Sequence, residues 1–110
     1  MKQRPGLSVV DRNARSQLRL LLETAEGLVH GSLIRMARRC GNPRCRCATL
    51  NQKHESWYLG RTQNRKTHMK HLSKEQEATV RRWTQAHQKA RRLLDQISDE
   101  AWTRLQHPEA

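Results

Sequence analysis

The sequence predicts a small α+β fold, with helices towards both ends and a β-hairpin between them. Three patterns lead there. Leu18, Leu21, Leu22, Ala25, Leu28 and Val29 recur at helical spacing, and so do Val80, Trp83, His87, Ala90, Leu94 and Ile97 in steps of three and four. Between them, Ser56–Thr62 and Thr67–Leu72 flank a polar stretch with arms rich in aromatic residues and Thr, the composition of a hairpin.

Taken in order, residues 1–10, with Pro5 and Gly6, read as a flexible tail ahead of one domain over 11–110. Ser8 followed by Asp11 has the capping-box spacing, which starts a helix near position 9 and gives it a body over 11–30. Gly27 and His30-Gly31 end it. Residues 32–39 either continue the helix beyond a glycine or form a short strand, and Gly31 with the turn-forming Gly41-Asn42-Pro43 favours the strand. Residues 48–54 read as loop. The hairpin follows, with Gln63-Asn64-Arg65-Lys66 as its loop and Met69 alternating with His68 and Lys70 in a half-buried arm. Residues 31–72 thus form a loop-and-hairpin part, and 73–106 a helical part.

Ser73 and Gln76 make a second capping box at the start of the long helix. Outside the Val80–Ile97 stripe this helix carries Arg81, Arg82, Gln85, Lys89, Arg91 and Arg92. Ser98 and Asp99 are predicted to cap a separate short helix with Ala101, Trp102 and Leu105.

At 110 residues, with 35% hydrophobic residues and no Phe, the core is expected to be thin. Small chains bury a small share of their surface, so a metal or an oligomer often supplies the missing stability. Twenty-two Lys and Arg oppose ten Asp and Glu, for a net charge of +12. The excess is local. Residues 35–46 hold five Arg and no acid, residues 61–92 hold ten Lys or Arg against Glu75 and Glu77, and the sign reverses from Asp95 onward. A basic stretch with an acidic end is the electrostatic footprint of a phosphate-backbone binder.

Cys40, Cys45 and Cys47 are the only cysteines and fall within eight residues, with Arg38, Arg39, Arg44 and Arg46 among them. Three cysteines cannot all pair within one chain. No apolar run precedes Asp11 and no stretch reaches membrane-span length, so reduced thiols in the cytoplasm are expected, and no membrane partner. Zinc takes four thiolate or imidazole ligands in a tetrahedron, and the C-x4-C-x-C run supplies three corners. His54, a few residues on, is the natural fourth, with His30, His68 and His71 as rivals. Free or reactive cysteines are the alternative. A structural Zn2+ is favoured over a catalytic one, since Glu55 is the only carboxylate nearby.

The expected nucleic-acid contacts are Arg38, Arg39, Arg44 and Arg46 on the cysteine loop, and Arg61, Arg65, Lys66 and Lys70 on the hairpin. Arg81, Arg82, Lys89 and Arg92 join them from the long helix. Trp57 and Tyr58 point to opposite faces of one strand, so either both are packed or one is core and the other, with Trp57 as the candidate, is exposed to stack on a base. DNA is favoured over RNA, which would associate the protein with the nucleoid. The rival is an adaptor that meets an acidic protein partner or a larger nucleoprotein enzyme, with Trp83 and Leu94 in a helical interface. The same stripe admits a homodimer.

An enzyme is not expected. There is no phosphate-cradling glycine loop, no nucleophile with a placed base and no pair of carboxylates. A hairpin followed by a helix, with His68, His71 and His87, loosely resembles the ββα-metal nucleases. Yet the first arm lacks a histidine for general base work, and acids for the metal are missing.

Gly31-Ser32-Leu33, the run from Arg38 to Ala48, His54 before an aromatic pair, Gly60-Arg61-Thr62, Lys66-Thr67, Ser73-Lys74-Glu75 and Arg82-Trp83 together carry a resemblance. Over residues 31–97 the chain resembles a family of small prokaryotic proteins with an R-C-G-x-x-x-C-R-C cluster, a domain of unknown function met in mobile-element neighbourhoods. On that pattern fall Cys40, Cys45, Cys47 and His54. Where members tend to read His-Gly-Pro-Tyr-Tyr, this chain has His54-Glu55-Ser56-Trp57-Tyr58. The resemblance implies a role auxiliary to transposition or defence.

Overall fold

The computed structural model describes residues 7–38 and 54–107, with the side chains of Arg38 and His54 left out. The order is α1 (Val9–Thr24), β1 (Ser32–Arg38), β2 (His54–Gln63), β3 (Lys66–Leu72) and α2 (Lys74–Gln106). The fold is α+β: an N-terminal helix, a three-stranded antiparallel sheet and a long C-terminal helix. By contacts the chain divides into two compact units, Met1–Leu28 with Gln85–Ala110, and Val29–Thr84.

The helical unit contains α1 and the second half of α2. Ser8 caps α1 by accepting the Asp11 N–H at 3.0 Å, as the box pattern predicts. Val9 and Val10 therefore belong to the helix and not to the tail. At the other end α1 stops at Thr24, short of residue 30, because Ala25 turns extended after its N–H reaches the Leu21 carbonyl at 2.8 Å. Leu28 and Val29 thus leave the predicted helical stripe. Buried here are Ala14, Ala90, Leu93 and, against expectation, Asp11, which is 0% exposed. Asp11 is ion-paired with Arg15 one turn on and lies 3.7 Å from Arg104. The Ser8 hydroxyl donates to Glu100 at 2.7 Å, tying the first turn of α1 to α2.

The sheet unit has strand order β1-β2-β3. Ser32 pairs with Gly60 and Arg38 with His54, while Trp57 pairs with Leu72 and Gln63 with Lys66. β2 is the central strand and starts at His54, a position expected to be loop. Successive side chains alternate between faces, so Leu33, Trp57, Leu59 and Leu72 share one face and Ile34, Met36, Tyr58 and Met69 the other. The first half of α2 lies by the Trp57 face. Leu72, Val80 and Thr84 are buried, and the Arg81 guanidinium sits 4.9 Å from the centre of the Trp57 ring. The Val29 N–H donates to the Trp83 carbonyl at 3.2 Å and fixes the approach to β1. Gly60 is needed where it is, since a Cβ there would come within 2.8 Å of Ile34 and 2.9 Å of the Met69 sulfur.

Both halves of the second capping box form: Gln76 N–H to Ser73 Oγ at 3.2 Å, and Ser73 N–H to Gln76 Oε1 at 3.1 Å. From there α2 runs 33 residues without a break, so the separate short helix at Ser98–Asp99 is not formed. The stretch 74–106 contains neither Gly nor Pro, and a cap-forming residue does not end a helix unless the backbone also turns. Within α2 the expected stripe holds at Val80 and Ala90, but Leu93 is buried in place of Leu94, which is 52% exposed. Trp102 and Leu105 are exposed.

Candidate nucleic-acid interface

The positive charge is concentrated in the sheet unit. Its sequence holds thirteen Lys and Arg against three Glu, whereas the helical unit holds nine against seven Asp and Glu. Within the sheet unit, the pairing of β1 with β2 ends at Ser32–Gly60. Arg61–Gln63 and Lys66–His68 therefore pair only with each other and form a two-stranded ribbon beyond the end of β1. Every residue from Arg61 to Lys70 is exposed, and none of them is acidic.

Register sorts the ribbon's side chains. Arg61 is opposite His68, Gln63 opposite Lys66 and Leu59 opposite Lys70, so Arg61, Lys66, His68 and Lys70 lie on one face. Like charges directly opposite or diagonal on a sheet face are destabilising. No ion pair among the described residues engages Arg61, Lys66, Lys70 or Arg65. The other face brings the hydroxyls of Thr62 and Thr67 to 3.3 Å, and further along sets His71 edge-on to Tyr58, with centroids 5.3 Å apart.

The turn is tighter than the four-residue loop expected. Gln63 and Lys66 pair, leaving Asn64 and Arg65 at φ 52° and 65°, the two left-handed positions of a type I′ turn. Asn suits the first. Glycine suits the second, and this chain has arginine.

The other predicted contacts divide into engaged and open cations. Arg81 is bonded to Glu77, with Nε at 3.1 Å from Oε1, and covers Trp57, so one face of the predicted stacking residue is already occupied. Arg82 reaches the Ala78 carbonyl and the Thr79 hydroxyl at 3.5 and 3.4 Å. Arg35 is paired with Glu55. Together with Trp57, His71, Lys74 and Glu77, that pair lines a cleft of about 620 Å3 in which each glutamate is held by an arginine. Lys89 and Arg92 are exposed on α2 and belong to the helical unit, whereas the hairpin cations belong to the sheet unit.

Arg39, Arg44, Arg46 and all three cysteines lie outside the described residues, as do the side chains of Arg38 and His54. What the described backbone supplies is the frame. Arg38 and His54 are register partners, so residues 39–53 leave and rejoin the sheet at neighbouring positions. Of the rival histidines, His71 is opposite Tyr58 and His68 opposite Arg61, seven positions along β2 from His54 or about 23 Å at strand rise. Among the described residues no three His, Asp or Glu side chains gather as metal ligands would.

From the sequence, His68 stands out as a rival metal ligand and as one histidine of a nuclease-like hairpin, not as a neighbour of Arg61. Its place beside Arg61 follows from register, which the composition of the two arms does not determine.

A family described as Domain of unknown function (DUF6788) matches residues 12–82, well over half of the chain. The protein belongs to the DUF6788 family. The DUF6788 match covers α1 from Arg12, the whole sheet and the ribbon, and it ends inside α2. No curated protein and no solved structure matches the chain. Among the described residues, no helix is long and apolar enough to cross a membrane.

Proposed function

We propose that this protein is a non-catalytic nucleic-acid-binding accessory factor that grips phosphates with its sheet unit, DNA ahead of RNA. The observation that carries the reading is the ribbon and its root: Arg61, Lys66 and Lys70 on one face with His68 between them, Arg65 at the tip, and no acid from Arg61 to Lys70. Such a face is costly in isolation and is stabilised by a polyanion. Arg39, Arg44 and Arg46 would extend the same basic surface from the cysteine segment. A structural Zn2+ on Cys40, Cys45, Cys47 and His54 would shape that segment. The donor set is one zinc favours, and in the sequence Cys40 follows Arg38, the register partner of His54, by two positions. By its resemblance the protein acts beside mobile-element or defence machinery.

The test is binding to a mixed-sequence duplex by fluorescence anisotropy across a salt series. With four or more phosphate contacts, log K should fall against log salt with a slope of about −3.5 or steeper. A flat slope defeats the proposal. A second reading, an adaptor for an acidic protein partner, draws on the exposed Leu94 and Trp102 of the helical unit. Replacing Arg61, Arg65, Lys66 and Lys70 together with Gln separates the two. Retained partner capture with no nucleic-acid binding by the parent protein favours the adaptor.

A further inference from the structure

We infer that the β2–β3 ribbon enters the major groove of B-form duplex DNA tip first, with Asn64 and Arg65 facing the base edges. The inference rests on the nucleic-acid reading above and names the form of nucleic acid that the ribbon fits.

Dimensions come first. Adjacent strands lie about 4.8 Å apart, so a two-stranded ribbon with its side chains fits a groove about 12 Å wide but not the B-form minor groove of about 6 Å. Arg61–Gln63 extend past the last residue paired with β1, and three residues at about 3.4 Å each project about 10 Å. That matches a major-groove depth of about 8.5 Å. The end of β1 at Ser32 then acts as a shoulder that stops insertion near Gly60.

The chemistry agrees with the dimensions. Arg61, Lys66, His68 and Lys70 share the face that would meet one phosphate wall. At the tip, Gln63, Asn64 and Arg65 are the residue types whose amide and guanidinium groups pair with the edges of adenine and guanine. Arg65 also occupies a left-handed backbone position where glycine would be relaxed, at a cost of about 1 kcal/mol. Strain held at one exposed residue is explained if its side chain is needed there.

The same features disfavour other nucleic acids. The major groove of A-form RNA is too narrow and deep for side chains to read. Single-strand binders stack successive bases on exposed aromatic rings, and residues 61–70 contain no Trp, Tyr or Phe and a single imidazole, His68.

The experiment compares full-length protein on a duplex DNA of about 20 base pairs, the RNA duplex of equal sequence, and each single DNA strand. A fourth probe is the same DNA duplex with glucosylated 5-hydroxymethylcytosine, which fills the major groove. Preference for DNA duplex of about tenfold or more is expected, with a similar loss on glucosylation and little effect of the minor-groove ligand netropsin. Arg65→Gly, which keeps the turn, should lower affinity for duplexes rich in guanine by about tenfold. Equal affinity for RNA duplex or single strands overturns the groove assignment, as does competition by netropsin without an effect of glucosylation. Absence of binding to all four probes defeats the nucleic-acid reading itself, and the two failures are thereby told apart.

Discussion

Oδ2 of Asp11, in the first turn of α1, lies 3.7 Å from Nη2 of Arg104, in the last turn of α2. Residues 93 positions apart are joined through a carboxylate with no solvent exposure, and Arg15 binds its other oxygen. Asp11→Ala would leave both arginines without their counter-charge. As each is partly exposed and able to rehydrate, the loss should be about 2–3 kcal/mol, below the usual range for a broken buried pair. Urea unfolding measures it, and a change under about 0.5 kcal/mol, the level of an ordinary surface substitution, would refute the role given to Asp11.

Arg65 should be worth more to binding than to folding. Replacing it with glycine relaxes the φ of 65° and should stabilise the protein by about 0.5–1 kcal/mol, while affinity for duplex DNA falls. Stability and affinity moving in opposite directions are the signature sought. A variant that loses both contradicts the account of the turn.

Gly60→Ala probes the point where the ribbon leaves the sheet. The new methyl group would meet the Ile34 Cδ1 and the Met69 sulfur at under 3.0 Å, and overpacking of this kind typically costs about 1–3 kcal/mol. Met69→Ala in the same background should recover part of the loss, because it removes one of the two atoms that the new methyl group would meet. Lack of any recovery in a thermal melt would place the clash on Ile34 alone.

Metal removal tests the cysteine assignment. Purified protein should contain about one zinc per chain, released by a chelator with a drop in melting temperature. Cys45→Ser should lose the metal, and with it the chelator effect. Protein without zinc whose melt ignores the chelator is the result that refutes the site.

Much of the fold was legible because its signals are local. Ser8 and Asp11, and Ser73 and Gln76, announce both helix starts through bonds that span three residues. The hairpin was legible in its arms but not in its turn, since the Asn64-Arg65 pair lacks the glycine that usually marks a two-residue loop. The end of α1 was misplaced because Ala25, Leu28 and Val29 keep an apolar spacing while the chain is already extended towards the sheet. Asp11 was read only as a capping residue, yet it lies three and seven positions before Ala14 and Leu18, on the apolar stripe. An acid in that place needs a distant partner, and Arg104 is not visible from residue 11. The ribbon's charged face depended on strand register, which is set between strands and not within either one.

The pairing of Arg38 with His54 has a consequence for whatever the intervening cysteines do. Bringing the ends of a free segment together costs entropy that grows with the logarithm of its length. Here the ladder of β1 with β2 has already met that requirement before any ligand arrives. An ion bound between the strand ends would not have to bring those ends together, and its apparent affinity would be higher by that closure term. The strength of such a site would then follow the integrity of the ladder. A substitution at Trp57 or Ile34, ten and six positions from the nearest cysteine, would register as weaker metal retention.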